Sequence, residues 1–320
     1  MIWLARHAGA CGRKKDRAVS VTESRKGVVL GAWALVLALS LLPTVVAQEI
    51  LGQMVSADMR AAVSVIGIAI GLLATLAWRP WRALRPLLWL LLVLVVAQWV
   101  VYNLVDRLPI FRTRLDDPSF GVYMPAELLL NLIVTLVVIA ALFVLKRDRR
   151  AFYLAKGDLS APAEPIRWLV VRPGDRWSTT GRNLTVGISL GTMVFLVISG
   201  QPSLGLVGRA LPLLPVILLA AALNAFNEEV TYKASLLSVL VGPVGSTQAL
   251  RMVAAYFGIA HFYGIPYGAF GVALAWFLGW ILAKSMLETR GLGWAWFIHF
   301  VQDVLIFSFL ALGAIRPGGG

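Results

Sequence analysis

Long apolar runs alternate with short polar segments along the chain. Most runs hold about 15 to 22 residues, which at about 1.5 Å per residue suits a hydrocarbon core about 30 Å thick. Inside lipid every backbone amide and carbonyl must be paired within its own segment, so the runs predict helices. We therefore expect an all-α, polytopic membrane helix bundle. Nine spans are predicted, at residues 28–46, 61–78, 87–105, 126–145, 183–200, 211–240, 248–263, 267–286 and 293–313.

The distribution of Lys and Arg between the spans predicts their orientation, because short cytoplasmic loops collect these residues. With a cytoplasmic N-terminus, the basic segments 79–85, 146–182 and 284–290 all fall on the cytoplasmic side. The loops on the other side are poorer in basic residues or balance them with Asp. The first run has an alternative interpretation, as the apolar core of a cleaved signal peptide, which its long polar lead disfavours.

A long polar loop divides the chain into two unlike halves. The predicted order is a basic cytoplasmic tail (1–27), a four-span region (28–145), a basic cytoplasmic loop (146–182), a five-span core (183–313) and a C-terminal tail (314–320). The spans before the loop hold almost no ionisable residue, and the exception, Glu127, is expected at a helix end. Six ionisable residues fall within the apolar runs after the loop: Glu228, Glu229, Lys233, His261, His299 and Asp303.

The composition agrees with a membrane protein, since 59% of residues are hydrophobic, 14% are charged and the mean hydropathy is +0.80. We therefore expect a multi-pass protein of the cell membrane, with the lipid bilayer as its partner. In a soluble protein, a net charge of +13 would suggest binding to nucleic acid. Here the basic residues are spread between the spans, so no nucleic-acid partner is expected. The single cysteine, Cys11, allows no intrachain disulfide.

The six ionisable residues of the second half are candidates for chemistry, because a charged side chain within a bilayer is costly and usually marks a function. Glu229 and Lys233 are four positions apart and can pair along one helix face. Glu228 points about 100° away from Glu229 on an α-helix, which leaves it available to a cavity as a general base.

The remaining candidates lie on two later spans. His261 follows Phe257 by four positions, and His299 precedes Asp303 by four, so each pair shares one helix face. Phe257 is interpreted as a cavity wall. Asn224, one turn before Glu228, is interpreted as a supporting polar group.

These three motifs resemble the signature of the CAAX-protease and bacteriocin-processing family of intramembrane endopeptidases. That signature is Glu-Glu-x-x-x-Arg, then Phe-x-x-x-His, then His-x-x-x-Asn or Asp, and the resemblance covers about residues 183–313. It implies that Glu228 and His261 activate a water while His299 and Asp303 stabilise the oxyanion. It implies supporting roles for Glu229, Lys233 and Phe257. The implied substrate is a membrane-associated or prenylated peptide, or a bacteriocin-type precursor.

Two positions depart from the usual pattern, since Lys233 replaces arginine and Ala234 follows where glycine is common. Lysine can neutralise Glu229 but lacks the bidentate fork of a guanidinium. Asp303 cannot donate a hydrogen bond while ionised. It would have to be protonated, orient His299 or bind a metal.

The need for a metal is left open by the sequence. Glu228, His261 and His299 form a two-histidine, one-carboxylate set that could hold zinc with an open position for water. Family members have been described both as metalloproteases and as glutamate-dependent enzymes that need no metal.

Two other classes of function are alternatives to a peptidase. One is a proton-coupled transporter, and the difference between the two halves of the chain argues against it. The other is a noncatalytic scaffold or immunity factor, which the lysine at position 233 would suggest.

The helical rise gives a coarse estimate of depth. His299 is expected about 9 Å inside the cytoplasmic boundary, and Glu228 and His261 nearer the midplane. We expect the cavity to open toward the cytoplasm.

Overall fold

The computed structural model describes residues 25–145, 148–201, 208 and 211–313. Within these residues the regular elements are helical, and the only β pairing consists of the isolated bridges Pro162–Arg176 and Ile166–Val171. The predicted all-α class is therefore confirmed. Most of the predicted N-terminal tail and the whole C-terminal tail lie outside the described residues.

The helices follow one another with short connections, apart from the segment between α6 and α7. Their bounds are α1 Arg25–Ala38, α2 Leu42–Ile50, α3 Ala57–Ala77, α4 Arg79–Val105, α5 Pro109–Leu115, α6 Phe120–Val144, α7 Trp177–Gly200, α8 Leu211–Val244, α9 Ser246–Ala260, α10 Gly268–Thr289 and α11 Gly293–Ala311.

Seven of these helices are long and apolar enough to cross a membrane: α3, α4, α6, α7, α8, α10 and α11. The described residues give up to eight spans if α1 and α2, bent by 52° at their junction, form one. The expected count of nine is not confirmed, because α9 has only 15 residues. At about 1.5 Å per residue it is about 22 Å long, less than the thickness of the hydrocarbon core. The orientation of the N-terminus stays a prediction.

Glu127 does not lie at a helix end, so that expectation was wrong. Helix α6 begins at Phe120, two turns earlier, and continues through Pro125. Glu127 is therefore an exposed carboxylate on the side of a candidate span.

Helix α8 changes its winding at the position of the paired glutamates. It is α-helical from Leu214 to Glu228, becomes a π-helix from Glu229 to Ala234 and returns to α-helix at Ser235. Single π turns inside α-helices are frequent at functional sites, because the wider turn shifts the side chains that follow it. Lys233 is thus placed by a π turn, and Glu228 is the last residue before that turn.

Close packing of α9 on α10 depends on two glycines. A Cβ on Gly258 would lie 2.8 Å from Cβ of Trp276, and one on Gly279 would lie 2.8 Å from the ring of Phe257. The absence of side chains lets the two helices approach closely, as small residues do at helix interfaces in membranes. This approach fixes the end of α9, where His261 lies.

The segment before α7 folds onto the ends of α10 and α11. The amide of Asp158 donates to the carbonyl of Thr289 (2.8 Å), and the amide of Leu292 donates to Ala155 (2.8 Å). Lys284 pairs with Glu164 (3.0 Å) and with Glu288, both through side chains. The segment predicted as a loop therefore packs against the second half of the bundle.

Candidate active site

The structure brings Glu228, His261, His299 and Asp303 together from three separate parts of the chain. Oε2 of Glu228 lies 3.6 Å from Nε2 of His299 and 3.9 Å from Nε2 of His261. Nε2 of His299 also lies 3.6 Å from Oδ1 of Asp303. The four side chains predicted from the motifs therefore face one small volume.

Glu228 lies between the two imidazole rings. Its Oε1 accepts a weak hydrogen bond from the amide of Asn224 (3.4 Å), while its Oε2 is buried and has no hydrogen-bond partner. Buried polar atoms are nearly always paired, so an unpartnered carboxylate oxygen requires an explanation. A side chain that is 22% exposed and has one oxygen unused is suited to accept a proton from water.

His261 ends helix α9 and is the most accessible member of the cluster, with 35% of its side chain exposed. Its Nδ1 lies 2.8 Å from the carbonyl oxygen of Phe257. A carbonyl can only accept, so Nδ1 carries the hydrogen and donates it. We infer that Nε2 of a neutral His261 presents its lone pair toward Glu228.

His299 is oriented by Glu229. Its Nδ1 donates to Oε1 of Glu229 across 2.6 Å, and the ring is buried. The sequence had offered Asp303 as the residue that orients His299, but Asp303 faces the other ring nitrogen, Nε2. The Glu229 contact joins residues 70 positions apart, and no motif spacing indicated it.

The predicted ion pair between Glu229 and Lys233 is present at 2.7 Å, with both side chains fully buried. Oε1 of Glu229 thus accepts from both Lys233 and His299. Nζ of Lys233 also lies 3.3 Å from the centroid of the Phe257 ring, a cation–π contact. Phe257 is buried and touches the ring of His261, with centroids 4.3 Å apart, so one ring contacts both Lys233 and His261.

Asn224 connects the two carboxylates of the site. Its Nδ2 donates to Oδ2 of Asp303 (3.1 Å) and to Oε1 of Glu228 (3.4 Å). The sequence interpreted Asn224 only as a supporting polar group near Glu228. Its bond to Asp303 spans 79 positions and depends on how α8 and α11 pack.

The side chains around Glu228 are spaced more widely than the ligands of a tetrahedral zinc ion. The described residues contain no group of three or more His, Cys, Asp or Glu side chains that could hold a metal. The nitrogen–oxygen separations around Glu228, 3.6 and 3.9 Å, exceed the ligand–ligand distance of about 3.3 Å that tetrahedral zinc requires.

The fold and the site define a class of protein. It is a multi-pass helical membrane protein with a buried cluster of Glu, His and Asp side chains. Residues 210–305 match the family described as Rce1-like, type II CAAX prenyl endopeptidase. The matched segment contains all three motifs, which confirms the predicted resemblance and supports a peptidase of the CAAX type. No curated protein and no solved structure matches the chain. Helices α1 to α7 lie outside the matched segment.

Proposed function

We propose that this protein is an intramembrane endopeptidase that uses Glu228 rather than a metal ion to activate water. Its substrate class is a membrane-associated peptide, including a prenylated C-terminal peptide of the type that names the matched family. The observation that carries the proposal is the unpartnered Oε2 of Glu228, which faces the Nε2 atoms of both histidines.

In the first step, a water molecule held by Glu228 and His261 attacks the scissile carbonyl carbon. Oε2 of Glu228 takes one proton from the water while Nε2 of His261 accepts a hydrogen bond from its other hydrogen. The new C–O bond places negative charge on the former carbonyl oxygen. Glu228 then passes its proton to the leaving amine as the C–N bond breaks, which restores the carboxylate.

The oxyanion is stabilised by His299 and Asp303. Nδ1 of His299 already donates to Glu229, so a second hydrogen on Nε2 makes the ring an imidazolium that can donate to the oxyanion. Oδ2 of Asp303 accepts from Asn224, which leaves Oδ1 to carry a proton and donate it.

This set of protonation states also balances the buried charge. Lys233 and the His299 imidazolium carry two positive charges, and ionised Glu228 and Glu229 carry two negative charges. A neutral Asp303 keeps the cluster uncharged. Uncompensated charge in a membrane interior is costly, so this balance favours the proposed assignment.

Replacing Glu228 by Gln tests the proposal directly. Glu228→Gln removes the base but keeps the shape, and we expect cleavage of a fluorogenic prenylated peptide to fall at least about 100-fold. Glu127→Gln is the matched control, since it removes an exposed carboxylate from another span and should leave the rate unchanged. Normal cleavage by purified Glu228→Gln would eliminate the proposed base.

Removing metal ions distinguishes the proposed metal-independent peptidase from a metallopeptidase. Since no step uses a metal, peptidase activity should survive prolonged dialysis against EDTA and addition of 1,10-phenanthroline. Activity is measured with the same peptide before and after dialysis. Loss of activity that zinc then restores would contradict the metal-independent mechanism.

A further inference from the structure

The segment between α6 and α7 contains a short hairpin, residues 162–176. Its two arms are joined by backbone hydrogen bonds, from Ala163 to Asp175 (2.9 Å) and in both directions between Ile166 and Val171 (3.0 and 3.1 Å). A 3-10 turn over Arg167–Leu169 forms its tip. The sequence had predicted only a polar cytoplasmic loop here.

The hairpin has an inner and an outer face. Ile166, Leu169 and Val171 turn inward and line a small cavity together with side chains of α7 and α10. Trp168 and Val170 turn outward, with 64% and 69% of their surfaces exposed. A tryptophan and a valine exposed at one tip form an apolar patch that water would solvate poorly.

The patch lies against the side of a membrane span. The ring of Trp168 stacks on Trp280 of α10 with centroids 5.7 Å apart, and it also contacts Phe277 at 5.8 Å. Trp280 lies nine residues before the end of α10 at Thr289, or about 14 Å along the helix. The hairpin tip therefore reaches back along the helix toward the bilayer.

The exposed apolar surface continues from the hairpin along α10. Trp276, Leu274 and Phe270 are exposed on the following turns of this span. Lipid covers the exposed apolar surface of a span, and the contacts of Trp168 with Phe277 and Trp280 make the hairpin tip continuous with that surface. The ion pair between Lys284 and Glu164 fixes the base of the hairpin to α10 beneath this surface.

We propose that the hairpin 162–176 is a bilayer-binding element that inserts Trp168 and Val170 at the membrane interface. The exposed guanidinium groups of Arg167 and Arg172 flank the patch and bind the phosphates of anionic headgroups. Tryptophan with flanking basic residues is the combination that interfacial membrane segments use. This element is separate from the peptidase site, and its test does not depend on activity.

Spin labels at single cysteines test the insertion. Because Cys11 is the only cysteine, Cys11→Ser gives a background in which Val170→Cys or Trp168→Cys carries the only label. In vesicles of phosphatidylcholine and phosphatidylglycerol, we expect these labels to collide more with oxygen, which concentrates in lipid, than with a water-soluble nickel chelate. Ser160→Cys is the matched control, exposed near the end of α10, and should show the reverse preference. A water-like response at both tip positions would overturn the proposal.

Charge-neutral variants test the headgroup contacts. In the Val170→Cys background, the label should lie deeper in the bilayer when phosphatidylglycerol is added to phosphatidylcholine. The double variant Arg167→Gln, Arg172→Gln should abolish that difference in depth. Arg149→Gln with Arg150→Gln removes the same charge from exposed positions outside the hairpin and should leave the difference intact. An equal loss in both double variants, or a loss in neither, would refute binding by Arg167 and Arg172.

Discussion

In the proposed mechanism Asp303 donates to the oxyanion, and an aspartate can donate only while its carboxyl group carries a proton. Its Oδ2 is occupied by the amide of Asn224, and its Oδ1 faces Nε2 of His299. A neutral Asp303 is required by the charge balance proposed above, in which Lys233 and His299 already offset Glu228 and Glu229. Lys233, which departs from the motif, has both the carboxylate of Glu229 and the ring of Phe257 as partners.

The substitution Asp303→Asn tests the neutral form. An asparagine amide donates at any pH, so we expect this variant to cleave the peptide and to keep its rate to a higher pH than the unmodified protein, until His299 loses the hydrogen on Nε2. The unmodified protein should lose activity at a lower pH, because an ionised Asp303 can no longer donate and would repel the oxyanion. The measurement is kcat against pH for both proteins. Identical pH profiles would argue that Asp303 is not the donor.

At the level of helices, the contacts explain why α4 and α6, outside the matched segment, matter to the site. Oγ1 of Thr135 on α6 is within hydrogen-bond distance of Oδ1 of Asn227 (3.1 Å) and of Oγ1 of Thr231 (3.0 Å). Asn227 and Thr231 flank the two glutamates of α8. Nε2 of Gln98 on α4 donates to the hydroxyl of Tyr232 (2.8 Å). The first half of the bundle therefore contacts α8 at and next to its π turn.

The substitution Thr135→Val tests whether the contacts from α6 stabilise α8. The substitution keeps the shape but leaves buried polar atoms of α8 without a partner, which costs about 1–3 kcal/mol. We expect a lower unfolding temperature in detergent and a lower kcat. Thr185→Val is the control, because that buried hydroxyl bonds only to the carbonyl of Gly181 on its own helix. Equal effects of the two variants would indicate a general packing defect.

The depths predicted from helical rise, His299 about 9 Å inside the boundary and Glu228 nearer the midplane, stay predictions. The structure adds that Nε2 of His299 and Oε2 of Glu228 are 3.6 Å apart, so the two side chains bridge any difference in depth between their helices. The rise measures distance along one helix and contains no information on the level at which that helix begins. That level is set by packing, here by the segment that binds Leu292 and Thr289.

For the whole molecule, the orientation in the membrane is predicted by the basic residues between spans. A membrane-impermeant maleimide should label Cys11 in inside-out vesicles and not in intact cells. Gln53→Cys in the Cys11→Ser background is the control, since it lies in the exposed connection between α2 and α3 and should label from the opposite side. Labelling of Cys11 from outside would reverse the predicted topology.

The sequence alone determined the membrane class, the helical fold and the residues of the three motifs. Apolar run length and the need to pair backbone groups in lipid leave little choice of fold, and the cost of buried charge makes the ionisable residues conspicuous. Tertiary structure alone decided that Glu229 orients His299, that Asn224 joins Glu228 to Asp303, and that the hairpin 162–176 reaches along α10. These contacts join distant residues, and their geometry is set by how helices pack rather than by spacing along the chain.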